Sequence, residues 1–206
     1  MHPNPTFHST DHTKDIAFVR DRGFGTLVIN ADPVPHMSHV PLLLSEDGTE
    51  VLIHLVRSNP IARALKTPLP ARIAVTGPDG YISPDWYGVA DQVPTWNYVA
   101  VQITGTLERL PQSDMRHVLD KQSAFYEGRL APKPLWTADK MTPDVLEKMM
   151  RMIVPCRIRV SDIAATWKLG QNKEQPARLG AAQALTEGIG TDLDALSKLM
   201  SDPPSL

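Results

Sequence analysis

Apolar and polar positions alternate along this chain with two different periods. Between residues 95 and 107, Val99, Val101, Ile103 and Leu107 share one face, while Trp96, Tyr98, Ala100, Gln102 and Thr104 share the other. That period of two belongs to a strand whose faces meet different surroundings. Shorter extended stretches are predicted over 25–30, 36–44, 50–56, 72–76, 81–83, 157–160 and 165–169. Asp32-Pro33-Val34-Pro35, Glu46-Asp47-Gly48 and Gly77-Pro78-Asp79-Gly80 separate them as turns. Helical spacing appears over 113–127, where Met115, Val118, Leu119, Phe125 and Tyr126 make a stripe. Ser9 or Thr10 is the expected cap of a first helix reaching about residue 21, with Ile16, Val19 and Ala17 inward. Pro60 opens a short helix through residue 65, and Thr142-Pro143 opens one ending near residue 153. Residues 177–200 read as two short helices around Gly188-Ile189-Gly190.

Many short strands, hairpin turns and few long crossovers imply a mainly β fold with peripheral helices, built as an antiparallel barrel and not a parallel doubly wound sheet. One domain over 1–175 is expected, with 176–206 a helical tail packed on it. Composition agrees: 42% apolar and 21% charged residues in 206 can bury a core, and 19 prolines dispersed between apolar runs suit rigid turns. A net charge of −2 gives no general attraction to nucleic acid or anionic lipid. The single cysteine, Cys156, allows no internal disulfide, and Cys/His metal spacing is absent. With no leader-like start and no apolar run near ~18 residues, a cytoplasmic protein without membrane contact is expected. Neither GxGxxG nor GxxxxGK[ST] occurs, which removes the two common nucleotide loops.

Four stretches have the residues for chemistry. In His54-Leu55-Val56-Arg57-Ser58-Asn59-Pro60 a strand runs into a helix, so backbone N–H groups, Arg57, Ser58 and Asn59 can face a phosphate. The alternative is a turn capped by Asn59 with Arg57 in solvent. Tyr81-Ile82-Ser83-Pro84-Asp85-Trp86-Tyr87 and Val93-Pro94-Thr95-Trp96-Asn97-Tyr98 place flat rings beside hydrogen-bonding side chains, as stacking on a planar heterocycle requires. An aromatic core cluster or a subunit interface has the same composition. Thr166-Trp167-Lys168-Leu169-Gly170-Gln171-Asn172-Lys173 offers two amides beside a lysine, for a polar ligand or for solvent. His36, His39 and His54 have no acidic partners at ligand spacing, so no metal site is expected. No catalytic residue stands out.

Together with Met1-His2-Pro3-Asn4-Pro5-Thr6-Phe7 and His39-Val40-Pro41-Leu42, these stretches resemble the PaiB-type, FMN-binding negative transcriptional regulator family. Pro94-Thr95-Trp96-Asn97-Tyr98 and Ser83-Pro84-Asp85-Trp86-Tyr87 are the specific pieces. Two positions depart from the family pattern: Gly170 where serine is expected, and Ser58 where alanine is more usual. The resemblance implies a split β-barrel of Greek-key type like that of flavin reductases and pyridoxamine-phosphate oxidases. It also implies a homodimer with FMN at the subunit interface. The cofactor-binding residues it implies are His39, Arg57, Ser58, Asn59, Trp96, Asn97, Lys168, Gln171 and Asn172, with the phosphate against residues 57–59 and the ring bordered by the rest. DNA is the partner suggested by the regulator label, although neither charge nor a recognition-helix motif supports it. Two other functions fit the same fold: an FMN-dependent oxidoreductase acting on a small molecule, and a haem-binding split barrel.

Overall fold

The computed structural model describes residues 2–8 and 12–204, so the predicted cap at Ser9 or Thr10 lies outside the described residues. The helices are α1 (His12–Arg22), α2 (Pro60–Ala64), α3 (Met115–Gly128), α4 (Pro143–Met150), α5 (Gln175–Ala184) and α6 (Leu193–Ser201). The strands are β1 (Phe24–Ile29), β2 (His36–Pro41), β3 (Leu43–Leu44), β4 (Glu50–Val56), β5 (Leu69–Ile82), β6 (Thr95–Arg109), β7 (Ile153–Lys168) and β8 (Gly190–Thr191). Their order in the sheet is β2-β1-β5-β6-β7-β4-β3, with β8 pairing with β5. The β1–β2, β1–β5, β3–β4, β4–β7 and β5–β8 pairs are antiparallel. Neighbours such as β1 with β5 and β4 with β7 are separated in the chain by other strands, the Greek-key habit. The fold is therefore mainly antiparallel β with flanking helices. No helix among the described residues is long and apolar enough to cross a membrane.

Internal contacts divide the chain into two compact units, and the three longest strands contribute residues to each. The larger comprises Ile16–Ala74 and Ile103–Ile163. Within it, β1 buries Leu27 and Ile29, β4 buries Val51, Ile53 and Leu55, and the inward residues of β6 there are Ile103 and Leu107. Met115 and Val118 of α3 close over Leu52. The strand predicted over 36–44 is broken in two at Leu42. This residue is fully buried, its N–H donates to Gly23 O at 2.9 Å, and its carbonyl accepts from the Tyr126 hydroxyl at 2.6 Å. Those bonds to other elements replace a continuous ladder. At the β3–β4 hairpin, Asp47 Oδ1 accepts from Ser45 Oγ, Thr49 N and Thr49 Oγ1 at 2.6, 3.1 and 2.8 Å. These bonds, the one from Ser45 foremost, hold the carboxyl down to about 2.

The smaller unit comprises Met1–Asp15, Val75–Gln102 and Ala164–Leu206, and the predicted turn at Gly77-Pro78-Asp79-Gly80 is absent from it. Strand β5 runs straight through these residues. Gly80 makes this possible, because a Cβ there would lie 2.7 Å from Leu185 Cδ1 and 3.1 Å from Leu196 Cδ2. The C-terminal helices thus pack against bare backbone, and β8 pairs with Asp79 and Gly80. The strands predicted over 157–160 and 165–169 are likewise one strand, β7. In the larger unit its middle is held by Val160 N donating to Thr49 O and by Ser161 Oγ donating to Thr104 O.

Gly105 of β6 has the backbone of β7 against it: a Cβ would meet Arg159 O at 2.2 Å and Ile158 Cγ2 at 2.7 Å. Gly105→Ala is expected to destabilise by about 1–3 kcal/mol through this overpacking. Gly128, with nothing within 4 Å of its would-be Cβ, is expected to gain about 0.4–1 kcal/mol as alanine. Urea unfolding of both variants checks the pair, and equal midpoints would show that the β6–β7 approach is not tight.

Candidate functional site

Strand alternation builds a crevice in the smaller unit. At the start of β6, Asn97 is 1% exposed whereas Trp96 is 46% exposed. At the end of β7, Trp167 points inward, where its indole N–H donates to the buried Asp15 Oδ1 at 2.8 Å. Lys168 must then point the other way. Its ammonium donates to Thr95 Oγ1 and, at 2.8 Å, to Trp96 O. Burial, and then the nearby charge of Lys173, lower the Lys168 pKa.

The loop after β7 completes one wall. Gly170 has φ +81°, the left-handed region, and Lys173 N closes the turn onto Gly170 O at 2.9 Å. A serine there would be strained by that φ, so the departure from the family pattern suits this backbone. Gln171 is turned back on its own loop: Nε2 donates to Trp167 O at 2.6 Å and Oε1 accepts from Leu169 N at 2.8 Å. It shapes the loop. The N-terminal segment forms another wall, tied down where His2 N donates to Thr166 Oγ1 at 3.1 Å. The His2 ring stacks edge-on against Phe7, and its pKa is lowered by partial burial first and then by the Lys168 charge. The crevice encloses about 250 Å³ and is lined by Asn97, Lys168, Asn172, Lys173, Tyr87 and His2, among others.

The remaining expected residues lie in the larger unit. His39, on β2, is exposed and stacks on Phe24 with ring centroids 6.4 Å apart. Arg57 is exposed, with Nε donating to Arg151 O at 2.9 Å and Nη2 to Gln112 Oε1 at 2.8 Å. Asn59 caps α2, its Oδ1 accepting from Ile61 N at 2.9 Å, while its Nδ2 donates to Ser38 Oγ at 2.9 Å. Ser58 is exposed between them. The structure thus brings Asn97, Lys168 and Asn172 together, with Trp96 adjoining through its carbonyl. Arg57 and Asn59 have structural duties as well. Sequence reasoning missed His2, Tyr87 and Lys173. All three lie in stretches singled out in the sequence, Tyr87 and Lys173 among those read for chemistry, but none is among the expected cofactor-binding residues.

A family model described as "Putative FMN-binding domain" matches residues 1–162. The chain belongs to this family. Its cofactor is accordingly FMN. The chain is 29% identical over 201 residues to the Bacillus subtilis "Protease synthase and sporulation protein PAI 2", covering 96% of each, which agrees with the PaiB-type resemblance. Among solved structures it is similar to an FAD and heme binding protein from Mycobacterium smegmatis (TM-score 0.60, 18% identity, 89% of this chain and 82% of that one). It is also similar to a flavocytochrome from Azotobacter vinelandii (TM-score 0.58, 12% identity, 85% and 77%). The fold is that of the split-barrel flavin-binding proteins.

The residues of the crevice fit part of such a cofactor: two cations, amide side chains and the Tyr87 ring. Their placement depends on Trp167. Asp15→Ala leaves the buried indole N–H without this acceptor and is expected to cost about 1–3 kcal/mol. Chemical unfolding followed by tryptophan fluorescence measures the loss; an unchanged midpoint would mean that the contact contributes nothing.

Proposed function

We propose that this FMN-binding chain acts as a homodimeric regulator of the PaiB type, with its flavin at the subunit interface. The observation that carries the flavin placement is the crevice beside the start of β6 and the end of β7, which Lys168, Asn97 and Asn172 line together and where Lys168 Nζ reaches the Trp96 carbonyl. In this reading Trp96, Asn97, Lys168 and Asn172 border the isoalloxazine, and Gln171 holds the loop that presents two of them. When bound, FMN supplies the one- and two-electron chemistry that side chains lack.

The phosphate is assigned to Arg57, Ser58 and Asn59, with His39 as a further contact. Supporting this, Arg57 is held in place by Arg151 O and Gln112 while Nη1 forms no hydrogen bond among the described residues, and Ser58 is exposed. A positioned guanidinium loses little freedom when it meets an anion. As a regulator the dimer would meet DNA, and an anisotropy titration against its own promoter region across salt concentrations tests direct contact. A second reading, an FMN-dependent oxidoreductase acting on a small molecule, is favoured by the space in the crevice. Steady NAD(P)H oxidation by the FMN-loaded protein would separate the two.

Two substitutions test the assignments independently. Arg57→Ala is expected to weaken FMN binding by about 1.5–3 kcal/mol if its bond to the phosphate is charge-assisted. Trp96→Ala is expected to lose about 1 kcal/mol of ring contact. Flavin fluorescence titration gives both dissociation constants, and a value equal to wild type removes that residue from the site. Sedimentation of the FMN-loaded protein as a monomer would overturn the dimer.

A further inference from the structure

The two ammonium groups of the crevice have no counter-ion among the described residues. Lys168 Nζ donates to a hydroxyl and a backbone carbonyl. Lys173 Nζ donates to Gln92 Oε1 at 2.5 Å and lies 5.1 Å from the centroid of the Tyr87 ring. All of these partners are neutral. Among the described residues neither lysine forms an ion pair, although Lys and Arg side chains elsewhere do. No Asp or Glu among the described residues lines the cavity, and Asn97 and Asn172 add amide groups to it.

Half-buried like charges repel one another with less screening than on an open surface. The fall in the Lys168 pKa, from burial first and the charge of Lys173 second, reports this cost. An entering anion relieves it and gains charge-assisted hydrogen bonds. The size of the cavity narrows the choice of anion. At about 250 Å³ it lies below the roughly 300–1,000 Å³ of pockets that enclose drug-sized ligands. It suits a phosphate group or a small organic acid, with the Tyr87 ring as its flat wall.

We propose that this crevice binds a phosphate or carboxylate group, with Lys168 and Lys173 as its counter-charges. The inference rests on the flavin reading in so far as Lys168 and Asn97 also border the ring; the unpaired lysines support an anion site on their own. A separate small acid or the phosphate of FMN can supply the group, and the second source would replace the assignment of that phosphate to Arg57, Ser58 and Asn59.

The test is isothermal titration of inorganic phosphate and of benzoate into apoprotein and FMN-loaded protein, and of FMN and riboflavin into apoprotein. It is run for wild type, Lys168→Gln, Lys173→Gln and Lys173→Arg. At least one anion, FMN included, is expected to bind about tenfold or more weakly to Lys173→Gln, the loss of one charge-assisted bond, and to recover with Lys173→Arg. If the anion is the phosphate of FMN, FMN excludes inorganic phosphate, and the glutamine variants weaken FMN but not riboflavin. If it is a separate acid, phosphate or benzoate binds the FMN-loaded protein. Either result supports the site. The proposal is overturned if neither phosphate nor benzoate binds wild type at millimolar concentration and FMN gains nothing over riboflavin. It is overturned equally if both glutamine variants bind as wild type does. Failure of the flavin reading looks different: Trp96→Ala leaves FMN affinity intact while anion binding keeps its dependence on Lys173.

Discussion

A single buried hydrogen bond governs the direction of the residues that matter most. Trp167 is turned inward by its indole N–H bond to Asp15 and by the apolar packing around it. Because a strand sends successive side chains to opposite faces, that choice leaves Lys168 no route but outward. The same rule operates on β6, where buried Asn97 separates Trp96 and Tyr98 on the other face. Lys168 and Asn97 are therefore placed at the crevice by two strand registers, and the Trp96 ring on the opposite face of β6.

The loops refine what the strands establish. Gly170 lets the chain reverse in a left-handed conformation directly after β7, and Gln171 locks that reversal with one donor and one acceptor to its own backbone. Both residues hold the wall in shape, and Asn172 and Lys173 are presented because of them. The absence of a side chain at 170 therefore removes backbone strain from the wall.

Much of this architecture could be read from residue patterns because it is local. The faces of β6 follow from alternation, β4 ends where its apolar run ends, and Asn59 caps α2 in the way its type and position suggest. The misread elements depend on contacts distant in sequence. Gly77-Pro78-Asp79-Gly80 has the composition of a turn, yet Leu185 and Leu196, about a hundred residues further on, need a flat strand to pack against. The break at Leu42 is caused by Gly23 and Tyr126, neither of which any nearby spacing reveals. The site shows the same division: its motifs were visible one by one, but the meeting of Lys173 with Tyr87 and of His2 with Thr166 belongs to the tertiary structure.

Charge shows why the whole-chain sum and the local field answer different questions. A net charge of −2 describes the far field, and it argues against a broad basic face of the kind that follows a nucleic-acid backbone over many phosphates. Inside a partly enclosed crevice the field is set by the few groups that face it. There the described residues contribute two ammonium groups and no carboxylate. A polyanion needs a row of cations spread over an open surface, whereas a single small anion needs two converging ones and shelter from competing water. The distribution of charge in this chain meets the second requirement, so selectivity for a small anionic group follows from where Lys168 and Lys173 stand and not from how many basic residues the protein has.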